Sequence, residues 1–301
     1  MRTEGRRAET LGGAFIGLAA LLFGMVVVLG KVVERHLAVP SMLAIRFGMA
    51  AVLLIGALVL RREAILPAPG ERLRLAALAV MGYAFEATLF FLALGRGQAA
   101  AVTLLFFTYP VVVALASWAM GRGAPGWLLG ASLVCASTGA ALVVLASGGL
   151  AISGLGVVFA LGSSLAFSAY LILADMVLKT TPPLAGSMWV SAWAAIGLGV
   201  FAALAGQGDA PGDAAQWLRL VGMGAATAGA FVCLFAGLLR LGPVRTAIVA
   251  ATEPLAAAIL AAVFLGEAIR ASVAVGGILI LAGAVTASLA RAQAPREPPV
   301  P

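Results

Sequence analysis

Apolar runs of about twenty residues, separated by short clusters of charge, Gly and Pro, divide this chain into ten candidate helices. They cover residues 10–32, 39–60, 73–94, 98–120, 126–147, 152–176, 184–205, 217–240, 243–265 and 270–290. Each run is predominantly apolar along its length, without alternation. The strands of a membrane barrel would instead alternate over roughly ten residues, so the pattern predicts membrane-spanning helices. The longest connections, 61–72 and 206–216, leave no room for a soluble catalytic or nucleotide-binding domain.

The pattern repeats. Phe91-Leu92-Ala93-Leu94-Gly95-Arg96 leads to Thr108-Tyr109-Pro110, and Phe235-Ala236-Gly237-Leu238-Leu239-Arg240 leads to Thr252-Glu253-Pro254, at a constant shift of 144. The same shift carries Phe23 onto Phe167 and Gly139 onto Gly283. A duplicated unit with five spans re-enters the bilayer upside down, the arrangement on which secondary transporters are built. The expected fold is an all-α membrane protein of ten transmembrane helices, made as two inverted-topology repeats of five. The first repeat is expected over 10–147, the second over 152–290, and a disordered tail rich in Pro and charge over 291–301.

Composition agrees with lipid as the main solvent, since 63% of residues are apolar and 10% charged. The formal charge of +7 does not point to nucleic acid, because the basic residues lie in the connections and form no basic face. With the N-terminus placed in the cytoplasm, thirteen Lys and Arg fall on the inner side and five on the outer, which orients both termini inward. Arg2, Arg6 and Arg7 precede a first apolar run too long for the core of a cleavable signal peptide. Cys135 and Cys233 lie in separate apolar segments and read as packing residues. No disulfide, metal or cofactor is expected.

Charges deep in a span cost about 3 kcal/mol on insertion scales and mark functional candidates. Arg46, Glu86 and Glu253 meet that description. Glu86 shares a helix face with Tyr83, so a carboxylate and a hydroxyl can point into one space. Two readings stand: a ligand for a substrate amino group or a proton site, and a structurally paired carboxylate. Arg46 either binds a substrate carboxylate or extends toward an interface. Glu253 precedes Pro254, and Pro110 holds the matching place in the first copy, so both prolines are expected to act as hinges. Met25 in the first helix, Ser164 and Ser168 on one face of the sixth, and Trp189 in the seventh complete the expected substrate lining, with Ser163 assigned to helix packing. Trp118, Trp127 and Trp217 read as interface residues, Lys31 and Arg35 as interfacial anchors, and His36 as a solvated loop residue. The Gly-rich fifth and tenth helices read as scaffold or as a dimer contact.

Thr252-Glu253-Pro254-Leu255 followed by Phe264-Leu265-Gly266-Glu267, with the weaker first-half counterpart Thr108-Tyr109-Pro110, resembles the EamA domains of the drug/metabolite transporter superfamily. The resemblance spans residues 12–290, and within it the chain is similar to amino-acid exporters of the YddG type. It implies alternating-access export or exchange of amino acids or similar small metabolites across a bacterial inner membrane, by a monomer or homodimer and without ATP hydrolysis. The rival within transport is a broad drug or cation exporter that uses Glu86. An intramembrane enzyme lacks suitable nucleophile–base or metal-ligand sets, and no Gly-x-x-x-x-Gly-Lys sequence is present for a nucleotide-driven pump.

Overall fold

The computed structural model describes residues 2–33, 37–97, 99–122, 126–146, 152–265 and 271–289. The tail at 291–301, Arg35, His36 and the Gly266-Glu267 end of the second motif lie outside the described residues. The described chain is helical throughout. Seven stretches are long and apolar enough to cross a membrane, and the shorter apolar helices are Trp127–Leu142, Glu253–Phe264 and Ala271–Ala287.

In chain order, the first three spans are Arg2–Val33, Val39–Arg61 and Arg72–Leu94. The fourth is interrupted, running as Ala99–Phe106 and then Tyr109–Ala119. The fifth to seventh are Trp127–Ala146, Gly154–Val177 and Pro183–Leu204. A single helical stretch, Ala214–Ala250, follows. Its 37 residues would measure about 55 Å if straight, far more than a hydrocarbon core of about 30 Å. Gly242 resolves this: at φ 72° and ψ 171° it takes a conformation open essentially to glycine alone, and Pro243 follows it. The eighth span therefore covers 214–241, and the ninth starts at 243, breaks at 251–252 and resumes as Glu253–Leu265. Ala271–Leu289 is the tenth. The sequence pattern placed these spans but showed the fourth and ninth as continuous.

The two halves are related by a two-fold exchange visible in reciprocal contacts. A Cβ built on Gly139 of the fifth span would lie 2.5 Å from the Gly276 carbonyl and 2.7 Å from the Ile280 nitrogen in the tenth. One on Gly283 of the tenth would lie 2.7 Å from the Ser132 carbonyl and 2.8 Å from the Ala136 nitrogen in the fifth. Each contact is the other shifted by 144. The guanidinium of Arg240 stands 5.1 Å from the Phe15 ring, and that of Arg96 stands 5.0 Å from the Phe159 ring. With five crossings per half, matched spans run in opposite directions, so the axis of exchange lies in the membrane plane. The first span packs on the eighth and ninth, the sixth on the third and fourth, and the second on the seventh.

The connections on each face are clasped across the halves. Glu71, just before the third span, accepts hydrogen bonds from Lys179 N at 3.1 Å, Thr180 N at 2.8 Å, Thr180 Oγ1 at 3.0 Å and Thr181 N at 3.0 Å. On the opposite face the connections before the second and eighth spans also meet, through different residues: Asp209 Oδ2 accepts from Ala38 N at 3.3 Å and Asp209 N donates to Ser41 Oγ at 3.1 Å. Burial opposes ionisation of Glu71, but hydrogen bonds from Thr181 and Thr180 outweigh it and hold the carboxyl down at about 2 instead of 4.5. Arg245 is buried at the start of the ninth span and pairs with Glu9 at 3.2 Å.

Two outcomes follow. Gly139→Val should destabilise the protein by about 1–3 kcal/mol through overpacking against backbone, read as a lower thermal unfolding midpoint in detergent. Because the folded-state value of Glu71 is depressed, its contribution is fully present above pH 4.5 and is lost as pH falls toward 2. Glu71→Gln should therefore lower the midpoint at pH 7, and the difference from the unaltered protein should vanish in acid.

Candidate functional site

The aromatic core at the junction of the halves surrounds Tyr83. Its ring lies 4.7 Å from Phe231, 5.2 Å from Tyr170, 5.5 Å from Phe47 and 6.4 Å from Phe167, centroid to centroid. These side chains come from the second, third, sixth and eighth spans. Phe23 of the first span reaches Phe231 at 6.0 Å, and Tyr109 of the fourth reaches Phe167 at 4.9 Å, both nearly edge-on.

Arg46, Glu86 and Glu253 gather at this core. Arg46 is 4% exposed, so it does not extend to an interface; its Nε donates to Thr227 Oγ1 at 2.9 Å, and Thr227 in turn donates to the Met223 carbonyl at 2.7 Å. The guanidinium also stands 4.6 Å from the Phe47 ring. Glu86, 6% exposed, accepts from Ser163 Oγ at 2.9 Å. Arg46 lies within electrostatic range of Glu86, Glu253 and Tyr83. Among the described residues, neither carboxylate forms a direct ion pair with it, and no donor reaches Glu253. Two carboxyl groups thus stand near one guanidinium with free acceptor capacity. Such a set can receive an ammonium group or a proton at the carboxylates and a carboxylate at the guanidinium.

The remaining expected residues divide. Ser164 and Ser168 are committed to the interruption of the fourth span: Ser164 Oγ lies 2.9 Å from Thr108 Oγ1, while Ser168 Oγ donates to the Ser164 carbonyl at 2.7 Å and lies 3.3 Å from the Tyr109 carbonyl. Pro110 and Pro254 stand directly after the two interruptions, inside the first turns of the resumed helices. Thr108 and Thr252 bond the carbonyls three residues back, at 2.7 and 2.8 Å, and Tyr109 Oη reaches across to the Ala247 carbonyl at 3.4 Å. Met25 is half-buried against the core. Trp189 is not brought to the cluster. Its Nε1 donates to the Arg72 carbonyl at 2.9 Å, fourteen residues and about 20 Å along the helix from Glu86.

Sequence reading missed Thr227 and gave Ser163 a packing role without its bond to Glu86. Both are fully buried polar residues, and Thr227 occupies the position matching Tyr83 at the shift of 144. That coincidence was the available signal. Reciprocity fails throughout this site: Arg46, Glu86, Glu253 and Ser163 correspond to Val190, Ala230, Tyr109 and Ala19. A symmetric scaffold therefore encloses an asymmetric polar centre. Thr227→Val should strand the Arg46 Nε and cost about 1–3 kcal/mol, read by thermal unfolding in detergent.

Comparison with known proteins agrees with this architecture. A solved crystal structure superposes with a TM-score of 0.78 at 19% identity, covering 91% of this chain and 96% of that chain, which at such identity is a likeness of fold. Among curated proteins no match is found. The family model described as the EamA-like transporter family matches twice, over residues 10–145 and 154–289, and the chain belongs to that family.

Proposed function

We propose that this membrane transporter moves amino acids or similar small zwitterionic metabolites by alternating access, with the solute held at Arg46, Glu86, Glu253 and Tyr83. The carrying observation is the buried arginine flanked by two carboxylates that it does not directly pair. In hydrocarbon such an arrangement is costly unless a ligand or proton completes it. A zwitterion does so at both ends, its carboxylate at Arg46 and its ammonium at Glu86 or Glu253, while the ring cluster of Phe47, Tyr83 and Phe231 receives the apolar part of the solute. The interruptions before Pro110 and Pro254 supply bending points on either side of this centre.

The presence of two carboxyl groups for one guanidinium also supports a second reading, a lipophilic cation bound at whichever of them ionises. The basic asymmetry of the connections orients both termini to the cytoplasm, and we place the protein in a bacterial inner membrane as a monomer or homodimer.

Proteoliposome uptake of radiolabelled L-amino acids, with and without a pH gradient, separates these readings. Saturable uptake inhibited by unlabelled amino acids is expected. Inhibition by quaternary ammonium compounds alone would favour the cation reading. Glu86→Gln should leave the unfolding profile of the protein intact and change the pH dependence or solute preference of uptake. Identical kinetics across the pH range would remove Glu86 from the site.

A further inference from the structure

The third and eighth spans are copies of unequal length. Phe91 matches Phe235 and Arg96 matches Arg240 at a separation of 144, whereas Arg72-Leu73-Arg74-Leu75 matches Trp217-Leu218-Arg219-Leu220 at 145. Exposure supports the second alignment: Leu73 and Leu218 are 81% and 74% exposed, and Leu75 and Leu220 are both 0%. The third span thus holds one residue more than its mate between these matched ends. Val80 is exposed like Ala225, and Tyr83, Ala84 and Glu86 are buried like Thr227, Ala228 and Ala230. Met81, 77% exposed, is left without a counterpart.

The helix widens at that point. Over Leu78–Ala84 it is π-helical, and the Phe85 N–H reaches the Val80 carbonyl five residues back. The eighth span is α-helical throughout 214–241, and the break at Gly242 lies beyond it, well past the matching segment. An extra residue in an α-helix turns everything beyond it by about 100° and advances it about 1.5 Å. The π turn absorbs that rotation, which is why both ends of the third span keep the register of the eighth. Neighbours grip the helix around the turn: Trp189 holds the Arg72 carbonyl, Val80 packs on Gly197, and Tyr170 packs on Gly82. Met81 itself faces outward.

We infer that Met81 is a one-residue insertion whose π turn is a two-setting joint in the third span. Closing it to an α-helix turns Tyr83 and Glu86 about 100° relative to Arg72 and takes Glu86 off Ser163; reopening it restores the contact. The eighth span has no extra residue and keeps Thr227 on Arg46 in both settings. One wall of the site moves against a fixed one. The transport role of this motion rests on the function proposed above, while the joint itself does not.

The test deletes Met81, with Met81→Ala as control. Deletion gives the third span the residue count of its mate, so the protein should fold with an unchanged unfolding midpoint and oligomeric profile. Hydrogen exchange needs no solute: peptides covering 78–86 of the unaltered protein should exchange faster than those covering 223–230, and the deletion should slow them to the level of the latter. In proteoliposomes with radiolabelled L-leucine as probe, deletion should lower the maximal counterflow rate about tenfold and leave the half-saturating concentration unchanged, while Met81→Ala stays at the unaltered rate. A deletion variant that fails to fold, exchange unaffected by deletion, or an undiminished counterflow rate would overturn the inference. If the unaltered protein does not carry leucine, the amino-acid reading loses support and the exchange comparison alone decides the joint.

Discussion

Close approach of the fifth and tenth spans through Gly139 and Gly283 sets the spacing at which the two halves meet. Lipid tails are as apolar as leucine, so little hydrophobic gain accompanies helix association within the bilayer. Contact at van der Waals distance then carries the packing, and glycine permits the nearest approach of two backbones. Because each glycine meets the carbonyl and nitrogen that correspond to those met by the other, one geometric solution serves both copies. The Arg96–Phe159 and Arg240–Phe15 contacts repeat that economy at the two membrane faces.

Symmetry is kept where packing is the task and abandoned where polar chemistry is. A strict two-fold site would place identical charges opposite one another, which in a low-dielectric interior repel. Here the exchange pairs Arg46 with Val190 and Glu86 with Ala230 instead, so the charges come together from different spans without facing copies of themselves. Hydroxyl groups do the local work of holding them: Thr227 fixes the guanidinium and Ser163 the carboxylate. The interruptions in the fourth and ninth spans keep their matched threonine bonds, yet only the fourth is tied to the sixth span by Ser164 and Ser168. The two interruptions are therefore alike in backbone and unlike in their supports.

The loop clasps show the same departure. Glu71 gathers four donors from 179–181, whereas the described residues on the other face are tied through Asp209 and Ser41. Hydrogen bonds to an ionised carboxylate are among the stronger ones available at a protein surface, so Glu71 is a strong tie between its two connections.

The spans, the duplication and the odd count per copy were legible in the chain because each depends on features that lipid imposes locally: length of apolar run, placement of basic residues, and repetition at fixed spacing. Arg46, Glu86 and Glu253 were legible for the same reason, since a charge within a span stands out against its surroundings. Partners were not. Whether Ser163 packs or donates, whether Ser164 lines a site or braces a break, and whether Trp189 faces the centre or caps a carbonyl depend on which helices lie side by side and at what rotation. No periodicity within a single span carries that information. The π turn shows the boundary between the two: its extra residue was countable from the repeat, but only the folded helix decided that the surplus is taken up in one widened turn, because packing at both ends holds the flanking segments in register.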